Sequence, residues 1–230
     1  ILMYIMSAGI YLYTFIFRLK SGYIAVFQCV RFFIMKNGGT EMNFSSKFIR
    51  ANGDMCDFDR HIPSPYFRKE FELDFTAEKA EILICGLGFY RLWINGTEIT
   101  KGALAPYISN TGDICYYDLY NIAALLKNGK NVIGVQLGNG FRNPFGGFVW
   151  DFEKMESRGP VCLALTFKAE GGGKELCFEA DESFKTHASP VIFDELRMGC
   201  RYDARLEIPG WSLPDFDDSG WSFAGKNETA

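Results

Sequence analysis

The chain has 230 residues, 48% of them hydrophobic and 16% aromatic, with a net charge of −4 and a pI near 5.3. That is enough apolar material for one large domain with a packed core. It excludes a nucleic-acid surface, because no basic stripe is present to displace counterions; a weakly acidic surface suits a neutral ligand such as a sugar.

Residues 1–41 stand apart as an apolar N-terminal segment. Residues 1–17 are almost wholly apolar, Arg18 and Lys20 follow, and a second apolar run covers 23–35. A spanning helix needs about 20 apolar residues, so the first run falls short. A secretory signal carries positive charge ahead of its apolar core, whereas here the charge comes after it. Three readings stand: a signal-anchor, part of the folded domain, and upstream sequence translated ahead of a true start at Met35 or Met42. The last is preferred, because residues 43–50 read like an ordinary soluble N-terminus. It predicts a cytoplasmic protein, with membrane anchoring or secretion as the alternative if residues 1–34 are genuine. Residues 42–65 form a leader into a domain spanning 66–230.

From Tyr66 onward the pattern is β. Phe67, Phe71 and Leu73 alternate with Arg68, Glu70 and Glu72, which predicts a half-buried strand with its charges in solvent. Pro63 and Pro65 keep the approach to it extended. Residues 80–86 are continuously apolar, as in a strand covered on both faces. Residues 89–94 then run into Asn95-Gly96, a pair that tolerates positive φ and signals a hairpin. A further strand is expected over 114–119, a helix of one or two turns over 121–127 with Ile122, Leu125 and Leu126 inward, and a strand over 132–137. Gly138-Asn139-Gly140 reads as a loop. Leu163, Leu165 and Phe167 share one face of a strand over 161–168, and Gly171-Gly172-Gly173 turns the chain back. Short strands separated by turns predict an all-β fold, a jelly-roll β-sandwich of the galactose-binding-like type with one short helix.

The cysteines number seven: Cys29, Cys56, Cys85, Cys115, Cys162, Cys177 and Cys200. None forms a C-x-x-C pair, and several sit in apolar runs, so they read as reduced, buried thiols in a reducing compartment.

The end of the chain carries Gly199-Cys200-Arg201-Tyr202-Asp203-Ala204-Arg205, then Gly210-Trp211, then Asp217-Asp218-Ser219-Gly220-Trp221. This resembles the G-E-x-Y-D-A-R … G-W … D-D-S-x-W ending of the N-terminal β-sandwich domain of bacterial α-L-rhamnosidases. Gly88 to Gly96 resembles that family's G-x-Y-x-x-x-I-N-G hairpin, residues 126–135 its L-K-x-G-x-N-x-I-x-V step, and Leu137 to Phe141 its L-G-N/D-G-W loop, so the resemblance covers about 66–222. Three positions depart from it: Cys200 stands for Glu, and Phe141 and Phe184 stand for Trp. The resemblance implies a parent glycoside hydrolase whose carboxylates lie in a later helical barrel. This chain stops before such a barrel begins, and soon after Trp221, so the sandwich is expected to be truncated at its C-terminus.

The chemistry-bearing residues agree. Glycosidases need two opposed carboxylates, and the candidates Asp151 with Glu153, Asp194 with Glu195, and Asp217 with Asp218 are adjacent pairs of the kind that mark turns and edges. No G-x-S-x-G elbow occurs, and Gly171-Gly172-Gly173-Lys174 lacks the phosphate-loop spacing. No catalytic residue is therefore expected. The loop from Phe141 to Glu153 is glycine-rich and aromatic, with Phe145, Phe148, Trp150 and Phe152. Its rings could stack on a sugar while Asn139, Asp151 or Glu153 takes hydroxyls. The competing reading packs those rings on a neighbouring domain or over the end of the sandwich. Tyr202, Asp203 and Arg205 complete the candidate ligand set, against a structural reading as turn cap and ion pair. Sugar-binding jelly rolls often carry calcium, but no D-x-D-x-D-G loop is present, and no cofactor or metal is expected. The expected function is a non-catalytic accessory domain of an α-L-rhamnosidase-like enzyme, partnered by a rhamnose-containing glycoside and the catalytic helical domain. The alternatives are a free-standing carbohydrate-binding module and a sugar-binding domain from a β-galactosidase- or β-glucuronidase-like enzyme.

Overall fold

The computed structural model describes residues 43–227 except 46, 112–113 and 148–149, together with the strand backbone at 2–6, 10–18 and 24–32. The chain divides into two units, Ile1–Met42 and Asn43–Ala230. In the first unit, β1 (Leu2–Met6), β2 (Ile10–Arg18) and β3 (Ile24–Phe32) form an antiparallel sheet in that order. Their aromatic and β-branched residues favour strand over helix. The candidate starts Met35 and Met42 lie outside the described residues. Among those residues, no helix is long and apolar enough to cross a membrane.

The second unit is built from short strands: β4 (Ile49–Arg50), β5 (Pro65–Leu73), β6 (Lys79–Leu87), β7 (Phe89–Ile94), β8 (Thr97–Glu98), β9 (Asp118–Asn121), β10 (Gly129–Gly138), β11 (Cys162–Gly171), β12 (Lys174–Glu179), β13 (Lys185–Ala188), β14 (Val191–Glu195), β15 (Gly199–Tyr202), β16 (Ser222–Phe223) and β17 (Gly225–Lys226). One sheet runs β16-β13-β5-β10-β7-β8. The other runs β17-β4-β11-β6-β9, with β12 also paired to β11, and β14 and β15 form a separate two-stranded ribbon. The expected β-sandwich is thus present.

The core lies between the two large sheets. Phe67, Leu92, Ile94, Ile133 and Val135 face Ile82, Ile84, Leu163, Leu165 and Phe167. The Asn95-Gly96 turn has φ of 49° and 85°, as the two-residue hairpin demands. Gly88 is required where β6 runs into β7: at its φ of 120° a Cβ would sit 2.1 Å from the Gly138 carbonyl oxygen.

Residues 43–65 do more than lead into the domain. β4 joins the second sheet, and Phe44 and Phe48 pack with Cys85, Leu87, Cys162 and Ala164 on its outer face. That coverage explains the unbroken apolar run of β6. β17 pairs in turn with β4, Arg50 opposite Gly225 and Ile49 opposite Lys226.

Three expectations shift. The strand placed at 114–119 begins at Asp118, because Tyr120 is the buried residue there while Ile114 and Tyr117 stay exposed; the Tyr120 hydroxyl hydrogen-bonds with that of Tyr90 at 2.9 Å. The helix over 121–127 is a single 3-10 turn, Ala123–Leu125, and similar turns occur at Phe152–Lys154 and Ala204–Leu206. Finally, the charged face of β5 is only partly open to solvent: Glu72 is exposed, but Arg68 is not. Residues 208–221 form a strap across it, stacking Trp211 on Tyr66 with ring centroids 4.0 Å apart. Arg68 is left only 1% exposed. Its guanidinium donates to the carbonyls of Trp211 (2.9 Å) and Leu213 (3.1 Å), to Glu70 (2.9 Å) and to Asp218.

Candidate functional site

The first of the candidate ligand residues, Asn139, lies at the turn that follows β10. Gly140 takes that turn at a φ of 50°, and Asn139 is buried within it. The Asn139 amide donates to the Ile62 carbonyl at 2.8 Å and to Asp194 Oδ1 at 2.7 Å, and its backbone N–H donates to Asp194 Oδ2 at 2.5 Å. Its Oδ1 accepts from Asn143 Nδ2 at 2.9 Å. Ser64 Oγ adds a third donor to Asp194, at 3.1 Å. Burial raises the Asp194 carboxyl above its ordinary value, against the lowering effect of these bonds. Asn139 therefore ties the segment before β5, the start of the 141–153 loop and β14 together. Its side-chain amide and backbone N–H are taken up in doing so.

The loop itself is anchored at its base. Arg142 Nη1 donates to the Ser157 carbonyl at 2.6 Å, and Asn143 Oδ1 accepts the Cys56 N–H at 2.8 Å. Phe141 packs edge-on to Phe152 (5.0 Å), and the Arg197 guanidinium lies 4.7 Å from the Phe152 ring. Phe145 meets Phe193 edge-on. These rings are drawn towards the domain, while Trp150 is 70% exposed. Trp150 and Asp151 both hold positive φ, 84° and 46°, a conformation that costs energy in residues with side chains and collects at functional surfaces. Asp151 accepts from Lys154 at 3.0 Å, and Glu153 keeps one buried oxygen without a hydrogen-bond partner. Phe148 lies outside the described residues.

The second group sits after β15. Asp203 caps the turn at 204–206 by accepting the Arg205 N–H, and its carboxylate takes Arg205 Nε at 2.9 Å and Nη2 at 2.6 Å. The Arg205 hydrogen bonds hold Asp203 down to about 2. The exposed Tyr202 hydroxyl donates to Glu207 at 2.8 Å. Among the described residues, no direct hydrogen bond, ion pair or ring contact joins Tyr202, Asp203 or Arg205 to Trp150, Asp151 or Glu153. The structure thus places the candidate set in three separate local arrangements.

What sequence reasoning missed is a cleft of about 430 Å³ between the β14–β15 ribbon and the ends of β7 and β10. Phe89, Arg91, Leu104, Gln136, Leu196 and Cys200 are on its walls. Arg91 is fixed there by a two-pronged bond to Glu98, at 2.8 and 2.6 Å. Cys200, where the resembled family has Glu, puts a thiol on that wall in place of a carboxylate. The polar outward positions of β7 and β10 were a readable signal; the ribbon that roofs them was not.

Asp194 and Glu195 also border this cleft, and their carboxylates are already engaged. Asp218 receives Arg68 and Asp217 accepts the Ser219 N–H at 3.0 Å. Glu195 accepts Arg197 Nε at 2.7 Å and the N–H groups of Arg197 and Met198. Among the described residues, no group of three His, Cys, Asp or Glu could hold a metal ion.

Comparison with known proteins follows the same lines. The family described as the α-L-rhamnosidase N-terminal domain matches residues 76–230. An α-L-rhamnosidase of Formosa agariphila is 36% identical over 173 residues, which cover 72% of this chain and 17% of that enzyme. The solved α-L-rhamnosidase of Aspergillus terreus superposes with a TM-score of 0.72 at 28% identity, over 80% of this chain and 21% of that one. The enzyme of Dictyoglumus thermophilum gives a TM-score of 0.70 at 28% identity, over 95% of this chain and 25% of that one. The chain therefore spans about a fifth of the length of these relatives, and it belongs to the family of α-L-rhamnosidase N-terminal domains.

Proposed function

We propose that this chain is a non-catalytic accessory domain of an α-L-rhamnosidase-like glycoside hydrolase, and that it braces the catalytic helical domain. The observation that carries this reading is the run of exposed apolar side chains before β9: Leu104, Tyr107, Ile108 and Ile114, with Tyr107 82% exposed. Apolar side chains crowded on one surface segment mark a protein contact. The candidate acids support it from the other side, since Asp194, Glu195 and Asp218 are engaged in holding the fold.

A second reading is direct recognition of a rhamnoside, and the cleft beneath the β14–β15 ribbon favours it. Aromatic, apolar and hydrogen-bonding groups share its walls, as a sugar requires. The cytoplasm suits either reading, because Cys56 and Cys162 are buried thiols that burial pushes up to about 11.

Two measurements test this. An aryl rhamnoside should release no aglycone with the chain alone; release that is lost on mutating one carboxylate would overturn the accessory reading. Titration with L-rhamnose, followed by protein NMR, separates the two roles. Saturable shifts at the cleft or in 139–153 favour recognition, and their absence leaves bracing.

A further inference from the structure

Of the five Asn-Gly pairs in the sequence, Asn37-Gly38 lies outside the described residues, and the other four lie in the sandwich unit, at Asn52, Asn95, Asn128 and Asn139. In such a pair the glycine nitrogen can reach the asparagine side chain, since glycine has no Cβ in the way. The fold holds three of the four back from that reaction. The Asn95 amide donates to the Leu125 carbonyl and to Asn131 Oδ1, both at 2.8 Å, and its Oδ1 accepts the Val132 N–H. Asn139 is buried and bonded to Ile62 and Asp194. Asn128 is exposed, but Gly129 is already in the β10–β5 ladder, opposite Leu73.

Asn52-Gly53 differs. It follows β4, and both residues are exposed. Among the described residues, the Gly53 N–H meets no backbone acceptor. The Asp54 N–H donates to Asn52 Oδ1 at 3.0 Å, a turn that folds the side chain over the next peptide. Arg50 lies against the glycine: a Cβ there would be 3.5 Å from Arg50 Nη1.

We propose that Asn52-Gly53 is a self-modification site, at which the chain deamidates itself through a cyclic imide. The Gly53 N–H gives its proton to hydroxide, and the adjacent guanidinium favours the resulting negative charge. The nitrogen attacks Asn52 Cγ, and the Asp54 N–H steadies the charge that gathers on Oδ1. A C–N bond forms, the bond to the amide nitrogen breaks, and ammonia leaves with a proton from water, which restores the hydroxide. Water then opens the ring at either carbonyl. Opening at Cγ leaves an aspartyl residue at position 52. Opening at the main-chain carbon leaves an isoaspartyl residue, with the backbone running through Cβ. One water enters, one ammonia leaves and nothing is oxidised. Either product sets a new carboxylate on a cleft of about 510 Å³ that Asn52 lines together with Asp54, Arg60, His61 and His187.

The test is ageing of the full chain in mildly alkaline buffer, followed by trypsin and mass spectrometry. Peptide 51–60 holds Asn52 as its sole asparagine. It should gain the mass difference between NH and O several-fold sooner than the peptides carrying Asn95, Asn128 or Asn139, and isoaspartyl methyltransferase should label it. Gly53→Ala should slow this several-fold. The φ there is not positive and the new methyl meets Arg50 only at van der Waals distance, so the fold is kept. Arg50→Gln, read on peptide 48–60, should slow it by a smaller factor. In urea the four rates should converge, because all four asparagines precede glycine. Conversion at Asn95, Asn128 or Asn139 ahead of Asn52, an unchanged rate in either variant, or a ranking that survives unfolding would overturn the proposal.

Discussion

The strap at 208–221 and the loop at 141–153 draw on the same kind of residue and end in opposite states. In the strap, Trp211 and Trp221 are buried, and Trp211 is stacked on Tyr66. In the loop, Trp150 stands in solvent and touches Phe152 only at a ring distance of 5.8 Å. Aromatic content does not make the difference. The strap has Arg68 beneath it, a buried cation that needs acceptors and finds two of them in the strap's own carbonyls. A buried guanidinium without those partners would be costly, so the cation fixes the backbone path and the rings follow. The loop is held at its base by Arg142 and Asn143 and further along by Arg197 on the Phe145 carbonyl, while Trp150 remains exposed. One aromatic region is thus spent on the fold, and the other remains available for contact.

Breaking the comparison at its strongest point means removing the cation. Arg68→Ala should cost about 3–5 kcal/mol in denaturant unfolding, because Asp218 and the two carbonyls lose their partner. A loss under about 1 kcal/mol would show that the rings hold the strap unaided. A smaller effect is expected from crowding the strap: at Gly134 a Cβ would lie 2.8 Å from two Trp211 ring atoms. Gly134→Ala should cost about 1–3 kcal/mol and make tryptophan emission more accessible to acrylamide. The smallest effect belongs to the loop. Trp150→Phe should change stability by less than about 0.5 kcal/mol while removing the most readily quenched part of the emission.

The same contrast shows what the sequence made legible. Alternation placed Phe67 and Leu73 in the core, and Asn95-Gly96 gave its hairpin, because both signals are local. Arg68 was misread as solvated. Its partner Asp218 lies 150 residues away, and strand periodicity reports only that a face is polar, not what later covers it. The bonds of Asn139 were out of reach for a related reason. A polar residue between glycines looks free to meet a ligand, but Ile62 and Asp194 claim it from distant positions. Tyr202, Asp203 and Arg205 were closer to legible as a turn cap and ion pair, since their bonds span only a few residues. The cleft escaped notice because its roof is a ribbon whose position no local pattern specifies.

The pairing of β4 with β17 brings the first and last strands of the sandwich unit side by side, and Asn227 N–H bonds the Phe48 carbonyl at 2.8 Å to close the gap. A tug on residues 48 and 227 would load those few rungs in succession, like a zip, at the edge of the sheet where β4 also meets β11. In mechanical terms that edge is a seam between the two ends of the unit, and under such a load it would be the first place to open.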